Sequence, residues 1–152
     1  MSMDNIFMNE ALRLAEIAAQ QGEIPVGAVV VRDGEIIGRG YNQRETNKSA
    51  VSHAEIIAIE EACRKVGDWR LTGCTLYVTL EPCPMCSGAI VNSRIDRVVF
   101  GATDRMAGCC GSLINFNAYP FNHSFEIEKG IREDQCQRIL KDFFENKRNK
   151  KG

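Results

Sequence analysis

Two short motifs contain the side chains whose types and spacing could do chemistry. A His-x-Glu motif provides His53 and Glu55, and a Cys-x-x-Cys pair provides Cys83 and Cys86. Imidazole nitrogen and cysteine thiolate are preferred zinc ligands, and a catalytic zinc usually has three protein ligands and a fourth position left to water. Glu55 is two residues from the histidine, so it can stand beside the metal and move protons for that water. The motifs therefore predict a hydrolytic zinc site with one Zn²⁺ per chain.

Both motifs also have structural interpretations. Ser52 to Glu55 fits a capping box, in which the serine bonds the start of a helix and the glutamate reaches back. A structural zinc normally closes its fourth position, and four other side chains could supply that ligand: His123, Cys109, Cys110 and Cys136. The catalytic interpretation is favoured because a closed site would leave the glutamate beside His53 without a task.

The elements that must position these residues follow from apolar periodicity and turn residues. They predict an α/β fold in a single domain over 1–152, with a mixed sheet covered by helices on both faces. The predicted elements in chain order are a helix capped by Asp4 and ending before Gly22, strands at 26–31 and 36–41 joined by an Asp-Gly hairpin turn, a loop at 42–49, a helix from Ser52 to about Val66, a strand at 74–80, a helix at 84–92, a strand at 97–101, a loop at 102–124, a short strand at 125–127 and a helix at 133–146.

The cysteine pair is predicted to lie at the carboxyl edge of the sheet, because strand 74–80 ends just before it and is parallel to strand 97–101. Residues three apart share one side of a first helical turn, and Pro84 suits the first helical position. Two positions along a helix differ by roughly 200° in direction, so His53 and Glu55 can converge only at the open end of their helix. All four side chains are therefore expected at one edge.

Composition limits the classes of function. The net charge is −1, which provides no general basic field for nucleic acid, although the end of the chain differs. Residues 141–152 contain five basic side chains against two acidic ones, a local charge of +3, which is also typical of a solvated helix end. The start lacks the features of a secretory signal, no apolar run is long enough for a bilayer, and seven cysteines form an odd set. We therefore expect a cytoplasmic protein with no membrane contact, whose cysteines are metal ligands and buried thiols.

The His-x-Glu and Pro-Cys-x-x-Cys motifs together resemble the signature of the zinc-dependent nucleobase deaminases. Within that superfamily the chain is most similar to the bacterial tRNA-specific adenosine deaminases, from the first helix to the basic tail. Further stretches that carry this resemblance are 25–28, 40–42, 100–104, 111–113 and 121–123. The resemblance implies a three-layer αβα cytidine-deaminase-like fold with a five-stranded mixed sheet, a homodimer, and conversion of the wobble adenosine to inosine in the anticodon of an arginine tRNA.

The resemblance also implies roles for individual residues. It makes His53, Cys83 and Cys86 the zinc ligands and Glu55 the proton shuttle. The implied substrate contacts are Asn42 to the purine, Val26, Ala54 and Leu80 around its pocket, Asp104 and Asn122 to nucleotides of the anticodon stem-loop, and the basic tail to the tRNA backbone. Singly, Asn42 could be a turn residue, Asp104 could bond its own loop, and Val26 and Leu80 are ordinary core candidates. Many relatives carry a lysine-containing segment between Asp104 and Gly111, which this chain lacks.

Two other functions stay open from the sequence. One is deamination of free cytidine, cytosine or guanine with the same zinc chemistry, and the other is a zinc-stabilised module that binds RNA without chemistry. The stretch 121–123 and the +3 tail favour RNA. A wobble base already lies outside a duplex, so the cost of unstacking it is small.

Overall fold

The computed structural model describes residues 2–151 and the side chains of residues 2–149. Its elements in chain order are α1 (Met3–Gln20), β1 (Gly27–Arg32), β2 (Glu35–Tyr41), α2 (Arg44–Asn47), α3 (Ala54–Val66), β3 (Cys74–Leu80), α4 (Pro84–Ser93), β4 (Arg97–Ala102), a 3₁₀ turn (Phe116–Ala118), β5 (Glu126–Lys129) and α5 (Glu133–Lys151). Of the predicted basic end, the side chains of Lys150 and Lys151 and all of Gly152 lie outside this description. No helix in the described part of the chain combines the length and apolarity needed to cross a membrane.

The sheet has the strand order β2-β1-β3-β4-β5. Strand β1 is antiparallel to β2 and β3, whereas β3, β4 and β5 are parallel to one another. The β1–β2 hairpin turns at Asp33 and Gly34, whose φ angles of 51° and 76° are those of a type I′ turn. The core has two parts, one between the sheet and helices α3 and α4, the other between the sheet and helices α1 and α5. The predicted mixed sheet with helices on both faces is confirmed.

Helix α3 packs directly onto the backbone of β2 because two glycines leave room for it. A Cβ atom on Gly38 would lie 2.2 Å from the carbonyl oxygen of Ala58, and one on Gly40 would lie 2.3 Å from that of Ala54. Both distances are well below ordinary van der Waals contact. Since Ala54 is the first residue of α3, Gly40 determines where this helix begins relative to the sheet.

Three local predictions were wrong. Ser2, not Asp4, caps α1 by accepting the N–H of Asn5, which leaves Asp4 to bind Arg97 across the fold. The loop predicted at 42–49 contains the single helical turn α2. Ser52 does not cap α3, since His53 occupies the cap position and makes no side-chain cap bond.

Candidate functional site

The amino ends of α3 and α4 meet at the carboxyl edge of β3, as the sequence predicted. His53 is the residue that immediately precedes α3, and Cys83 holds the same position before α4, where Pro84 begins the helix. The Nδ1 atom of His53 lies 3.6 Å from the sulfur of Cys83 and 3.6 Å from that of Cys86. The three potential ligand atoms are all within 4.8 Å of one another.

This spacing fits tetrahedral coordination. With Zn–N and Zn–S distances of about 2.0–2.1 and 2.3 Å, a ligand nitrogen and a ligand sulfur of a tetrahedral zinc lie about 3.6 Å apart. Among the residues that the structure describes, no fourth His, Cys, Asp or Glu joins the group. His123, one of the predicted alternatives, donates from Nε2 to the carbonyl of Ile95 instead. The group therefore has the three-ligand composition of a catalytic metal site.

The pKa values of the two cysteine thiols are shifted in opposite directions. The pKa of Cys83 is lowered to about 4, chiefly because the Cys86 side chain hydrogen-bonds to its sulfur, with a further hydrogen bond from His53. The same contact with Cys83 raises the pKa of the Cys86 thiol. Since both thiolates favour a nearby cation, this pair is suited to metal binding.

Glu55 is the second residue of α3, and it is buried, with 4% of its surface exposed. Burial raises its pKa to about 7, and its side chain hydrogen-bonds to Cys86. The capping-box interpretation is wrong, because the Ser52 hydroxyl accepts a hydrogen bond from Asn47 and does not cap the helix. Glu55 therefore lies beside the candidate metal ligands and is not part of a capping box with Ser52.

A cavity of about 170 Å³ opens next to His53, Glu55 and Cys83. It is smaller than the 300–1,000 Å³ of sites for drug-sized ligands, so it suits a single small heterocycle. Five of the six residues predicted to contact substrate line it: Val26, Asn42, Ala54, Leu80 and Asp104. A larger groove of about 780 Å³ between α1 and α5 contains none of these residues.

The two polar side chains among these five are held by the backbone. Asn42 donates from Nδ2 to the carbonyl of Ile24 and accepts the N–H of Arg44 at Oδ1, both at 3.2 Å. Asp104 accepts the N–H groups of Met106 and Ala107 at 3.1 and 3.2 Å. Each residue therefore organises a local turn and lines the cavity at the same time.

Asn122 is the predicted contact that the structure does not bring to the cavity. It is exposed and precedes His123, which bonds Ile95 before the start of β4. The cavity lies at the other end of the sheet, beside Ala102. At about 3.3 Å per residue, the length of β4 separates the two positions by roughly 20 Å.

Sequence reasoning missed two buried acids, Glu23 and Glu81, each 2% exposed. Glu23 accepts the N–H groups of Glu45 and Thr46 and the hydroxyl of Thr46, which holds in place helix α2, whose first residue Arg44 lines the cavity. Glu81 lines the cavity and accepts hydrogen bonds from the segment 104–112. A carboxylate directly after a buried strand and before Pro82-Cys83 was the signal that could have indicated Glu81.

Comparisons with known proteins agree with this geometry. The profile of the MafB19-like deaminase family matches residues 1–148. A tRNA-specific adenosine deaminase of Bacillus subtilis (strain 168) is 50% identical over 152 residues, covering 99% of this chain and 94% of that protein. A solved structure from a study of A-to-I editing by tRNA:A34 deaminases at the wobble position has a TM-score of 0.86 and 41% identity, and the match covers 88% of this chain and 98% of that one. Guanine deaminase from Bacillus subtilis has a TM-score of 0.62 and 42% identity over 64% of this chain and 63% of that one.

Proposed function

The chain belongs to the deaminase family and, within it, to the tRNA-specific adenosine deaminases, and from this we propose that it converts adenosine to inosine at the wobble position of a tRNA anticodon. The observation that carries the proposal is the placement of a His-Cys-Cys group and a buried glutamate at the wall of one small cavity. The cytidine-deaminase-like arrangement of five strands and flanking helices agrees with it.

We propose that His53, Cys83 and Cys86 hold one zinc ion, because their donor types and 3.6 Å spacing fit it. When bound, zinc makes water an effective nucleophile at neutral pH. Without a fourth side chain in the described group, a position is left for that water.

Glu55 is proposed to move the protons. Its carboxylate takes a proton from the attacking water, and the resulting hydroxide adds to C6 of the adenine. The Glu55 carboxyl group passes this proton to the ring nitrogen N1, then takes the proton of the new C6 hydroxyl group and passes it to the amine, so that the C–N bond breaks, ammonia leaves and inosine remains with a carbonyl at C6. The buried position of Glu55 at the cavity wall supports this role.

The cavity walls are proposed to orient the base. Val26, Ala54 and Leu80 offer apolar surface to the purine faces, and Asn42 offers an amide whose direction is held by two backbone contacts. Asp104 also lines the cavity and is proposed to contact nucleotides next to the target base. A preoriented amide reduces the entropy lost on binding.

RNA contacts outside the cavity are proposed for Asn122 and for the basic end of α5. Lys147 and Arg148 are exposed near that end. Phosphate contacts of this kind would hold the anticodon stem-loop without reading its sequence. An arginine tRNA remains the expected substrate, to be tested against other tRNAs. A tRNA substrate also supports the predicted cytoplasmic location.

A homodimer is proposed from the surface around α4. The helix buries Ile90 and Val91 in the core and packs Ala89 against it, yet the side chain of Met85 stays partly exposed. The loop between β4 and β5 adds exposed apolar side chains: Leu113, Tyr119 and Phe121. Exposed apolar side chains of this kind are typical of a protein interface, and we propose that a second copy of the chain covers them.

One assay separates the candidate functions. The protein is incubated with an anticodon stem-loop carrying a wobble adenosine and, separately, with free adenosine, cytidine, cytosine and guanine, and inosine, uridine, uracil, xanthine and ammonia are measured. Inosine from the stem-loop alone supports the proposal. Xanthine from guanine would favour the second candidate, which the similarity to guanine deaminase suggests. Binding of the stem-loop with no product from any substrate would indicate an RNA-binding module.

A further inference from the structure

The carboxylate of Glu81 holds one wall of the cavity in place. It follows the last residue of β3, Leu80, and lies two residues before Cys83. Its Oε1 atom accepts the N–H of Asp104 at 3.0 Å and the hydroxyl of Ser112. Its Oε2 atom accepts the N–H groups of Cys110 and Ser112 at 3.0 and 3.1 Å. All of these donors belong to the segment 104–112, which we call the wall segment.

The four hydrogen bonds leave Glu81 no capacity for the reaction itself. An ionised carboxylate has about four acceptor sites, and each of its oxygens already has two donors here. Glu81 is also outside the group of metal-ligating side chains in the described residues. Its influence on the site must therefore act through the residues that it binds.

The wall segment supplies part of the cavity surface. Asp104 and Ala107 line the cavity, and the peptide between them turns back on itself with a Gly108 N–H to Asp104 carbonyl bond of 2.8 Å. The Glu81 carboxyl group fills the inside of this turn so tightly that a Cβ atom on Gly108 would lie 2.3 Å from its Cδ. A single additional bond ties the segment to the cysteine motif, from the N–H of Cys109 to the carbonyl of Pro82.

The wall segment depends on such bonds because it forms no helix or strand of its own. Its peptide groups bond to Glu81, to Pro82, within a local turn and to residues 113–116 just after the segment, where Cys110 forms an isolated β-bridge with Asn115. A loop in which one buried carboxylate accepts three N–H groups and a hydroxyl becomes more mobile when that acceptor is lost, since these N–H groups are then left unsatisfied. The cavity would lose a defined wall while the metal ligands on α3 and α4 keep their own supports.

We propose that Glu81 is a positioning residue that fixes the wall segment and thereby sets the affinity of the cavity for the target base. This inference rests on the proposed function for the identity of that base. Because Glu81 holds the wall and does not touch the reacting atoms, its effect falls on binding and leaves the chemical step nearly unchanged.

The test compares Glu81→Gln with three other variants. The amide of glutamine turns two acceptor sites into donors that face N–H groups, so KM for the anticodon stem-loop is expected to rise about tenfold or more. The value of kcat is expected to stay within about threefold and the metal content unchanged. Ser112→Ala removes one of the four bonds, and a KM rise of about twofold is expected. Gly108→Ala keeps the Glu81 side chain but forces its carboxyl group to move, so this variant should raise KM as Glu81→Gln does.

Asp4→Asn is the matched control. It also replaces a partly buried carboxylate that binds several donors, but on the far side of the sheet, so it should lower stability and leave KM unchanged. Amide hydrogen exchange measures the mobility of the wall segment in the absence of substrate. Protection of the Cys110 and Ser112 amides should fall in Glu81→Gln and Gly108→Ala and persist in Asp4→Asn.

Wild-type KM in both Glu81→Gln and Gly108→Ala would overturn the inference. So would a loss of kcat at unchanged KM, or a loss of metal from Glu81→Gln, because Glu81 would then act on the chemistry or the metal. If the wild-type protein makes no inosine but deaminates a free base or nucleoside, the proposed function fails, and the same KM comparison is made with that substrate. If Glu81→Gln does not fold, Gly108→Ala and Ser112→Ala decide the outcome.

Discussion

The Nδ1 atom of His53 lies 3.6 Å from the sulfur of Cys86, although 33 positions separate them along the chain. Helix α3 delivers the histidine and helix α4 the sulfur, and each side chain lies at or within the first turn of its helix. Two separate helix starts thus combine into one ligand group.

Loss of either side chain should remove the metal. Wild-type protein is expected to contain about one zinc per chain, and His53→Ala and Cys86→Ser should each retain only a small fraction of it, because two ligands cannot complete the site. Elemental analysis after dialysis measures this. Cys63→Ser, which changes a half-buried thiol outside the group, is the control and should keep its zinc. Full zinc content in His53→Ala would contradict the ligand assignment.

Removal of the Glu55 carboxyl group should abolish turnover without loss of metal. A positioned acid–base group typically contributes a factor of about 10²–10⁴, so Glu55→Ala should lower kcat at least a hundredfold. Inosine formation from the stem-loop and zinc content are measured on the same preparation. Glu60→Ala, an exposed glutamate on the same helix, should behave like wild type. Wild-type turnover in Glu55→Ala would refute the mechanism.

Gly40→Ala should disturb the site through the position of α3. The added Cβ would lie 2.3 Å from the Ala54 carbonyl, so the start of the helix must shift. Such overpacking typically costs about 1–3 kcal/mol. Denaturant unfolding should show a similar loss for Gly38→Ala, which meets the helix one turn later. Only Gly40→Ala should also weaken zinc affinity and kcat; equal activity losses in both variants would argue against a specific role of the helix start.

Asp4 should contribute stability that depends on pH. Its carboxylate accepts two hydrogen bonds from Arg97 and one from the hydroxyl of Tyr77, and the Arg97 bonds hold the pKa of Asp4 below its usual value. A depressed carboxyl pKa stabilises the fold above the unfolded-state pKa of about 3.9 and loses this effect as pH falls through the folded-state value.

Asp4→Asn should therefore lower the free energy of unfolding at pH 7 by about 1–3 kcal/mol. The difference from wild type should shrink below about pH 4, where the wild-type carboxyl group is also neutral. Urea unfolding at pH 7 and pH 3 measures it. A difference that stays constant between these pH values would show that the charge of Asp4 is not involved.

The basic end of α5 should contribute salt-dependent affinity for RNA. Replacing Lys147 and Arg148 together by alanine should weaken binding of the anticodon stem-loop and reduce the slope of log affinity against log salt by about 1–2. Fluorescence anisotropy at several salt concentrations provides the slope. Lys129→Ala, which removes one exposed positive charge on β5 outside this end, is the control and should leave the slope unchanged. An unchanged slope in the double variant would leave the tail as a solvated helix end.

Much of the site followed from local spacing. Cys83 and Cys86 are one turn apart, Pro84 begins α4, and Asp33-Gly34 closes a two-residue hairpin, so each feature depends only on residues within a few positions. The strand before the cysteines is buried and parallel to β4, as its apolar run predicted. Local geometry of this kind is largely independent of the rest of the fold.

Other features depended on contacts that distant residues make. Ser52 was predicted to cap a helix, but its hydroxyl accepts a hydrogen bond from Asn47. Asp4 was also predicted to cap a helix, but its carboxylate binds Arg97. The partners of Glu81 are 23 to 31 positions away, and no local pattern identifies them.

The sequence by itself determined the chemistry: the ligand types, their helical spacing, the glutamate beside the histidine and the strand that leads to the cysteines. Only the tertiary structure decided which side chains share the cavity. It places Asn122 at the opposite end of β4, and it places Glu81 where its carboxylate binds the wall segment of the cavity. The physical reason is that bond lengths and helical period act over a few residues, whereas burial and hydrogen-bond pairing are settled between segments that meet only in the folded chain.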